Sequence, residues 1–432
     1  MKIDKNRIIL ILCTVLYVFS LNWSYINLIS PHYYYFGYSY TKPSLISAII
    51  SWSLAIVPSL WLSIKLVRPS LVVTWLLYLL VFVPSMFIPL YSTSVEKSEL
   101  LLLQGSLLFA LILIGYAHKI PLLKIKKIYI SNSLFWVIIF SISTVFYLII
   151  MGTFGFKLRL VSLFNVYDIR MEYREDVNRI AAYAINWQSK IINTLLIAWG
   201  LVNKKILIMA VGIFGQLIIF SITGHKSVFL STVLIIGILI CLQKSGRFFG
   251  VIITLGLSFV TIVSYYIDGL MNTITLSTLF VRRLILTPGL LTGYYFDYFH
   301  ENPKFYLSHS IFKSIVDNPY SIPPPFLIGT TYFGRSEMAA NANIWADAFA
   351  NFGLIGIFVF SLILVIILWI FNSLSVTINP YISTLILGMV AWSMTDTGLL
   401  TSLLTHGVIL ALIVIYLMPS SGKVDRKIKN SI

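Results

Sequence analysis

Residues 71–91, LVVTWLLYLLVFVPSMFIPLY, decide the fold class of this chain. The segment contains no charged residue, and it is long enough to cross the hydrocarbon core of a bilayer, which takes about 20 apolar residues in a helix. Pro84 and Pro89 interrupt the apolar run, and we expect them to bend the helix because proline lacks a backbone donor. The sequence therefore predicts a transmembrane helix here.

Similar apolar segments recur along the whole chain of 432 residues. Hydrophobic residues make up 58% and charged residues 11%, whereas soluble domains carry about 45–50% and about 25%. This balance excludes a soluble enzyme, a disordered chain and a disulfide scaffold. We predict an all-α polytopic membrane protein, a single membrane domain over residues 1–432 with about 12 transmembrane helices. They are expected at 8–29, 44–64, 71–91, 100–116, 130–151, 187–202, 206–221, 228–242, 248–267, 347–371, 380–395 and 399–418.

The distribution of lysine and arginine predicts the orientation of these helices. Cytoplasmic loops of membrane proteins are enriched in both residues. The short loops on one side hold most of the basic residues, namely Lys2, Lys5, Arg7, Lys65, Arg68, Lys119, Lys124, Lys126, Lys127, Lys204, Lys205, Lys244 and Arg247, and a basic tail follows at 419–432. Both termini are therefore predicted in the cytoplasm. The net charge of +16 then reflects contact with lipid head groups, and no nucleic acid partner is expected.

Two long loops on the opposite side concentrate the residues that can do chemistry. They are the third external loop, residues 152–186, and the fifth and largest, residues 268–346. The chain has no GxxxxGK[ST], HExxH or GxSxG motif and its cytoplasmic loops are short, which argues against an ATP-driven pump and against a cytosolic nucleotide-sugar transferase. Cys13 and Cys241 lie inside apolar runs and suggest neither a disulfide nor a metal site. No metal and no cofactor are predicted.

The fifth loop begins with an apolar stretch that contains two adjacent arginines, Arg282 and Arg283. We expect an interfacial or re-entrant helix at 276–286 that ends at Pro288-Gly289. Two arginines in such a helix are costly unless they meet anions or water. They bind phosphate oxygens well because the guanidinium presents planar donors. The alternative is that both side chains extend to lipid head groups.

The next segment, YYFDYFHEN at 294–302, combines aromatic rings with titratable groups. Aromatic faces can stack on sugar rings, and Asp297, His300 or Glu301 can act as a general base toward a sugar hydroxyl. An ordinary aromatic belt at the membrane interface with a polar rim is the alternative.

Three further segments carry candidate binding residues. Arg170 and Arg174 are four apart, which predicts either one face of a solvated, salt-bridged helix or the lining of an anionic groove. In the turn Gly224-His225-Lys226-Ser227, Lys226 can reach a phosphate, or Ser227 can cap the next helix. The triplet Pro323–Pro325 predicts an extended segment.

A polar stripe leads into the tenth predicted helix. Asn343, Asp347 and Asn351 share one helix face, which indicates either a water-filled cavity or an ordinary helix N-terminus. Asp396 and His406 near the last two helices are further candidates, because ionisable groups at membrane depth are usually functional. The sequence shows no chain of such groups that would relay protons.

These features resemble the Wzy-type O-antigen (oligosaccharide repeat unit) polymerases over the whole chain. Members of that family have many transmembrane helices, cytoplasmic termini and large third and fifth periplasmic loops. Those loops often carry an arginine followed, after ten residues, by a glycine, and Arg282 and Gly293 have this spacing. No arginine of the third loop has a glycine at that spacing. The GHKS turn and the segment NANIWADAFANFGLIGIF at 341–358 are also similar to segments of such polymerases.

The resemblance implies a GT-C-like fold and a metal-independent glycosyltransferase in the bacterial inner membrane. Such an enzyme joins undecaprenyl-pyrophosphate-linked oligosaccharides at the periplasmic face, next to a flippase and a chain-length regulator. The substrate-binding candidates are then Arg282, Arg283, Gly293, Arg170, Arg174, Lys226, Asn343 and Asp347. A base from His300, Asp297 or Glu301 would activate the acceptor. An O-antigen ligase and a flippase or other transporter of lipid-linked oligosaccharides are the alternatives.

Overall fold

The computed structural model describes residues 4–159, 166–242, 246–309 and 315–420. Three parts of the predicted charge pattern lie outside these described residues: Lys2, Lys244 and, in the basic tail, residues 421–432.

The described part of the chain is built from helices and contains no strand. In chain order the helices are α1 (Lys5–Phe36), α2 (Leu45–Leu60), α3 (Ser70–Ser92), α4 (Lys97–Lys119), α5 (Asn132–Phe154), α6 (Tyr167–Asp176), α7 (residues 179–202), α8 (Ile206–Thr223), α9 (Lys226–Cys241), α10 (Phe249–Leu270), α11 (Ser277–Leu286), α12 (Thr287–Glu301), α13 (Pro324–Phe333), α14 (Ile344–Thr377), α15 (Pro380–Ser393) and α16 (Leu399–Leu417). Eight of them, α1, α3, α4, α5, α8, α10, α14 and α16, are long and apolar enough to cross a membrane. The prediction of a multi-pass helical membrane protein is confirmed at this level.

Twelve spans were predicted, but in the described residues only eight helices have the length and the composition of a membrane span. The other four predicted segments are helical but differ from a standard span. Helices α2, α9 and α15 are short, and α7 contains Gln188, Ser189, Lys190 and Asn193 in its middle. Whether these four helices also cross the membrane stays a prediction.

Helix α3, formed by the segment quoted first, lies at the centre of the bundle. Its whole apolar stretch is buried by the surrounding helices, chiefly α12, α15 and α2. A π-helical turn at Tyr78–Phe82 precedes Pro84, and Pro89 lies inside the helix that follows. A charge-free helix can be surrounded on all sides when its few polar side chains find partners inside the protein, as Tyr78 and Ser85 do by donating to the Ala55 and Val81 carbonyls.

Helices α11 and α12 run on from one another, so the expected break at Pro288-Gly289 is wrong. Helix α11 is π-helical, and the Thr287 N–H donates to the Arg282 carbonyl five residues earlier. Pro288 then occupies the first turn of α12, where a missing N–H donor is tolerated. The result is an uninterrupted helical rod from Ser277 to Glu301 within the fifth loop.

Glycines let this rod approach α3 closely. A Cβ at Gly289 would lie 2.6 Å from the Pro84 carbonyl carbon, and a Cβ at Gly293 would lie 3.0 Å from Pro89 Cβ. The contact with α3 fixes the position of α12, and α12 is continuous with the helix that carries Arg282 and Arg283.

One other expectation about the later part of the fifth loop needs correction. Pro324 does not extend the chain but begins α13, because proline is favoured in the first turn of a helix. Helix α14 is not straight at its start. It kinks at Phe352 and Gly353, where Gly353 adopts a φ of 63°, a region that favours glycine.

We expect Gly289→Ala to destabilise the folded protein by about 1–3 kcal/mol, because the added methyl group meets the α3 backbone. The measurement is the thermal unfolding midpoint in detergent, which should fall by several degrees. Gly105→Ala in α4 is the matched control, since a Cβ there meets nothing within 4 Å and alanine favours the helix. Equal midpoints for both variants would contradict the close packing of α12 on α3.

Candidate functional site

Positively charged side chains from four helices gather at one end of the bundle. We call this group the cationic cluster, and its members are Arg170 and Arg174 of α6, Lys190 of α7, Lys226 of α9, and Arg282 and Arg283 of α11. Their charges act on one another and on His225, which lies among them. Helices far apart in sequence therefore build one strongly positive region, and it contains all five of the predicted Arg and Lys candidates together with Lys190.

Arg283 connects the parts of the cationic cluster. Its charge acts on Arg170, His225 and Lys226, and the negative charge of Asp396 acts on Arg283 in turn. Its side chain is nevertheless exposed, as is that of Asp396. The exposed Arg283 and Asp396 side chains are therefore accessible to a ligand at the surface of the cationic cluster.

Arg282 points in another direction and is held by aromatic rings of α1 and the segment after it. Its guanidinium carbon lies 4.2 Å from the ring centre of Tyr33, 5.7 Å from that of Phe36 and 5.8 Å from that of Tyr38. Such cation–π contacts are worth about 0.5–2 kcal/mol each. The Arg282 Nε is buried and has no hydrogen-bond partner among the described atoms. The two adjacent arginines therefore have different surroundings. Arg282 stacks on aromatic rings, and Arg283 faces the other members of the cationic cluster.

The start of α11 is fixed by a buried carboxylate that sequence reasoning missed. Asp268 accepts hydrogen bonds from the Ser277 N–H at 2.6 Å, the Leu276 N–H at 3.1 Å and the Thr273 hydroxyl at 3.0 Å. These bonds satisfy donors at the beginning of the helix and orient it. They place the two arginines five and six residues further along.

The turn between α8 and α9 binds α6 through its backbone. Arg170 Nε donates to the Gly224 carbonyl at 3.0 Å, and Gly224 adopts a φ of 60°. The rings of Tyr173 and His225 meet edge to face at 5.1 Å. The expected cap from Ser227 is wrong, because His225 is the N-cap residue and no side chain caps α9.

The charges around His225 lower its pKa to about 3. Burial is the largest cause, and the positive charges of Arg170, Lys190, Arg283 and Arg174 add to it. Burial also lowers the pKa of Arg170, to about 10, with Arg283 and Arg174 contributing. Burial disfavours any charge, so only the part of both shifts that comes from the neighbouring positive charges indicates that an anion would be favoured there.

Glu172 does not neutralise the arginines of its own helix. Its carboxylate pairs with Lys157 and with Arg159 at 2.8 Å, and these hydrogen bonds lower the pKa of Glu172 to about 2. The solvated, salt-bridged helix expected for α6 is therefore present on one face only. The other face directs Arg170 toward the cationic cluster.

A chain of polar contacts joins Lys190 to Asp396 and was not expected from the sequence. Lys190 Nζ contacts His406 Nδ1, His406 Nε2 lies 3.2 Å from Thr397 Oγ1, and the Thr397 hydroxyl donates to Asp396 Oδ1 at 3.2 Å. The only sequence signal was the position of ionisable residues inside or beside apolar helices. Because Lys190 and His406 are 216 residues apart, local spacing gives no indication of their contact.

An apolar cavity of about 380 Å³ lies next to the cationic cluster. Its walls come from α3, α9, α10 and α11, and Phe280, Leu284 and Ile285 of α11 flank the two arginines in sequence. Trp392 lines this cavity and also the smaller polar cavity that contains Lys190 and Asp396. The volume falls in the range of about 300–1,000 Å³ that is typical of ligand sites.

The three predicted catalytic residues lie away from the cationic cluster. They are 14 to 18 residues beyond Arg283 on the rod formed by α11 and α12, which at the rise of a helix is roughly 20 Å or more. Asp297 accepts a hydrogen bond from the Tyr332 hydroxyl at 2.6 Å, and His300 Nε2 lies 3.6 Å from Glu99 Oε2. Glu301 is the exposed last residue of α12. The structure does not bring these groups to the positive charges.

The remaining predicted site residues make packing and capping contacts. Gly293 packs against Pro89 and Thr93. Asn343 is buried, where it caps α14 and donates to the Pro288 carbonyl at 3.2 Å and the Thr292 hydroxyl at 2.8 Å. The carboxylate of Asp347 lies against Gly398, two residues after Asp396.

Within the described ranges, no group of three or more His, Cys, Asp or Glu side chains is arranged to hold a metal ion. The fold defines a multi-pass helical membrane protein with a cationic cluster, a small polar cavity lined by Lys190 and Asp396, and an apolar cavity that shares Trp392 with the polar one. Comparison of this chain with protein-family models, with curated proteins and with solved structures finds no match.

The lowered pKa of His225 predicts how the stability of the protein depends on pH. This histidine titrates near 6.5 in the unfolded chain and near 3 in the folded protein, so only the unfolded chain takes up its proton between these values. Stability should therefore fall as the pH drops from about 6.5 toward 3, and this contribution should be absent above that window. The measurement is the thermal unfolding midpoint of the wild-type protein and of His225→Phe between pH 4 and 8.

We expect His225→Phe to lose less stability than the wild type at acid pH, since phenylalanine keeps an aromatic ring beside Tyr173 without a titrating group. Parallel pH curves for the two proteins would show that His225 is not held neutral by the cationic cluster.

Proposed function

We propose that this protein is an O-antigen polymerase of the Wzy type, which joins oligosaccharide repeat units carried on undecaprenyl pyrophosphate. The observation that supports this most strongly is the cationic cluster at the edge of a large apolar cavity. A ligand that fits both has several negative charges and a long apolar part.

The charge of the site favours a polyanion. Arg170, Lys226 and Arg283 act on one another, and Asp396 is the carboxylate that acts on Arg283. Clustered positive charges in a membrane protein are costly without an anion. A pyrophosphate offers several oxygens to the planar donors of arginine and to the ammonium of lysine.

The apolar cavity favours a ligand that is attached to a lipid. Its walls are almost entirely aliphatic and aromatic, and α11 contributes side chains to it on either side of Arg282 and Arg283. An isoprenoid tail in this cavity would therefore hold its pyrophosphate at the cationic cluster. A free nucleotide would leave the cavity empty.

The same arrangement suits cleavage of the bond between sugar and pyrophosphate. As that bond breaks, negative charge develops on the leaving pyrophosphate, and donors already in place stabilise it without rearranging. Arg283 is the residue best placed for this role, because its side chain is exposed and is connected electrostatically to the other cations. Arg282 would orient the helix through its aromatic contacts.

The proposal also includes the orientation of the protein in the membrane and the proteins that act before and after it. The basic loops favour cytoplasmic termini, and with that orientation the cationic cluster would lie on the periplasmic side of the inner membrane. Repeat units would then reach the site after a flippase has moved them across, and a chain-length regulator would act on the growing polymer. The GT-C-like fold also belongs to this proposal.

We expect Arg283→Ala to reduce chain growth by about 10²–10³-fold, the usual cost of removing one donor to developing charge. Arg283→Lys should restore part of the activity because it keeps the charge but loses the planar fork. The measurement is the ladder of surface polysaccharide in cells that lack this protein and carry each variant. Arg247→Ala is the matched control, since Arg247 is exposed in the turn at the opposite end of α9 from Lys226.

The deletion strain separates the proposed function from its alternatives. A polymerase predicts a single repeat unit on the lipid core with no ladder above it. Long polymer that stays on the carrier lipid would indicate a ligase, and repeat units that accumulate on the cytoplasmic side would indicate a flippase. A normal ladder from Arg283→Ala at normal protein levels would contradict the role of the cationic cluster.

A further inference from the structure

The turn between α15 and α16 places a carboxylate at the cationic cluster. Asp396 lies in this turn, is exposed to the cavity, and is acted on by the positive charges of Lys190 and Arg283. The carboxylates on α12 are roughly 20 Å or more from Arg283 along the helical rod. Asp396 is therefore a carboxylate at the place where we propose that the pyrophosphate binds.

The polar chain behind Asp396 has a definite direction. Lys190 can only donate, so its contact with His406 Nδ1 makes that nitrogen an acceptor and leaves the proton on Nε2. The Nε2–H then donates to Thr397 Oγ1, and the Thr397 hydroxyl donates to Asp396 Oδ1. Every donor in the chain points toward the carboxylate, which favours its ionised form.

The imidazole of His406 also has a second partner. Asn186 Oδ1 lies 3.1 Å from His406 Nδ1, so the other tautomer would donate to Asn186. In that tautomer Nε2 would accept the Thr397 proton, and Asp396 would lose its donor. The charge of Lys190 selects the first tautomer because an N–H at Nδ1 would face an ammonium group.

The space in front of Asp396 can hold water. Asp396 and Lys190 line a cavity of about 40 Å³ together with Ser189, Gln216, Ser227 and Ser231. One water needs about 10–15 Å³ by the same measure and two to four polar partners, and both conditions are met. A proton received by the carboxylate thus has a route to solvent.

We propose that Asp396 is the general base that deprotonates the acceptor hydroxyl, and this inference rests on the proposed polymerase function. In the transfer step the acceptor O–H proton moves to an Asp396 carboxylate oxygen. The acceptor oxygen forms a bond to the anomeric carbon of the donor sugar. The bond from that carbon to the pyrophosphate oxygen breaks, and its electron pair leaves with the pyrophosphate toward Arg283 and Lys226.

Thr397, His406 and Lys190 are positioning residues in this account. Burial raises the pKa of Asp396, and these residues oppose that shift through hydrogen bonds and charge that hold the carboxylate in place and favour its ionised form. They exchange no proton with the sugar. Arg283 has two roles, since it stabilises the leaving group and favours the ionised form of Asp396.

The test uses the full-length protein in proteoliposomes, with repeat units on their carrier lipid extracted from cells that lack this protein. Asp396→Asn should lose about 10²–10⁴-fold in elongation rate, the usual contribution of a general base. Its binding of undecaprenyl pyrophosphate should be unchanged or tighter, because a negative charge has been removed. Asp396→Glu should recover part of the rate. Asp176→Asn, at the exposed end of α6, is the matched control.

The pH dependence of the rate tests the positioning residues. The groups that act on Asp396 are Lys190 of α7, Arg283 of α11 and Thr397 of its own turn, and the carboxylate of Asp347 of α14 lies against Gly398 in the same turn. Thr397→Val removes one donor to the carboxylate, so the acid limb of the pH–rate profile should move to higher pH. A variant with only a packing defect would lower the rate at every pH and leave the limb in place.

The outcomes separate this inference from the function on which it rests. If Asp396→Asn elongates at the wild-type rate, or if it is folded but no longer binds undecaprenyl pyrophosphate, Asp396 is not the base. If Asp396→Asn does not fold, the rate of Asp396→Glu and the pH profile of Thr397→Val are used instead to test whether Asp396 is the base. If the wild-type protein neither binds undecaprenyl pyrophosphate nor elongates the extracted units, the proposed function itself is wrong.

Discussion

Repulsion among the positive charges of α6, α7, α9 and α11 is the constraint on which the rest of this structure depends. Arg170, Lys226 and Arg283 act on one another where surrounding protein weakens the screening by water. Such repulsion grows as the effective dielectric constant around the charges falls. The bundle must therefore hold these helices together by other contacts, and an anion that enters the cavity relieves the repulsion.

Those other contacts are found at both ends of α11. Asp268 binds the amides at the start of α11, and the aromatic rings around Tyr33 hold Arg282. Beyond α11, Gly289 brings α12 directly against the backbone of α3. Because these contacts do not involve Arg283, its side chain remains exposed at the cationic cluster. The contacts that fix α11 and α12 are therefore also the reason why the charge of Arg283 is available to a ligand.

The charge pattern of the sequence was enough to predict most of the arginines and lysines that the structure brings together, with Lys190 as the exception. Adjacent arginines in an apolar stretch, and arginines four residues apart, identified α11 and α6 before their spatial relation was known. The helical fold class followed from long apolar runs such as that of α3. Both signals are local, since they depend on residues within a few turns of one another.

The predicted catalytic residues were also chosen from a local pattern, titratable groups among aromatic rings in the same loop. In the fold, however, they lie away from the cationic cluster. Asp297 and His300 follow Arg283 closely in sequence, but the π-helical turn before Pro288 keeps the helix continuous. The continuous helix moves those residues roughly 20 Å away. The contact between Lys190 and His406 could not be predicted because it joins helices 216 residues apart. Only tertiary packing brings such groups together.

The most direct test of this account is a structure of the protein in lipid nanodiscs with undecaprenyl pyrophosphate bound. The account predicts the pyrophosphate between Arg170, Lys226 and Arg283, with the isoprenoid tail in the apolar cavity beside Phe280 and Leu284. A pyrophosphate bound near Asp297 and Glu301, or a tail outside the cavity formed by α3, α9, α10 and α11, would contradict it.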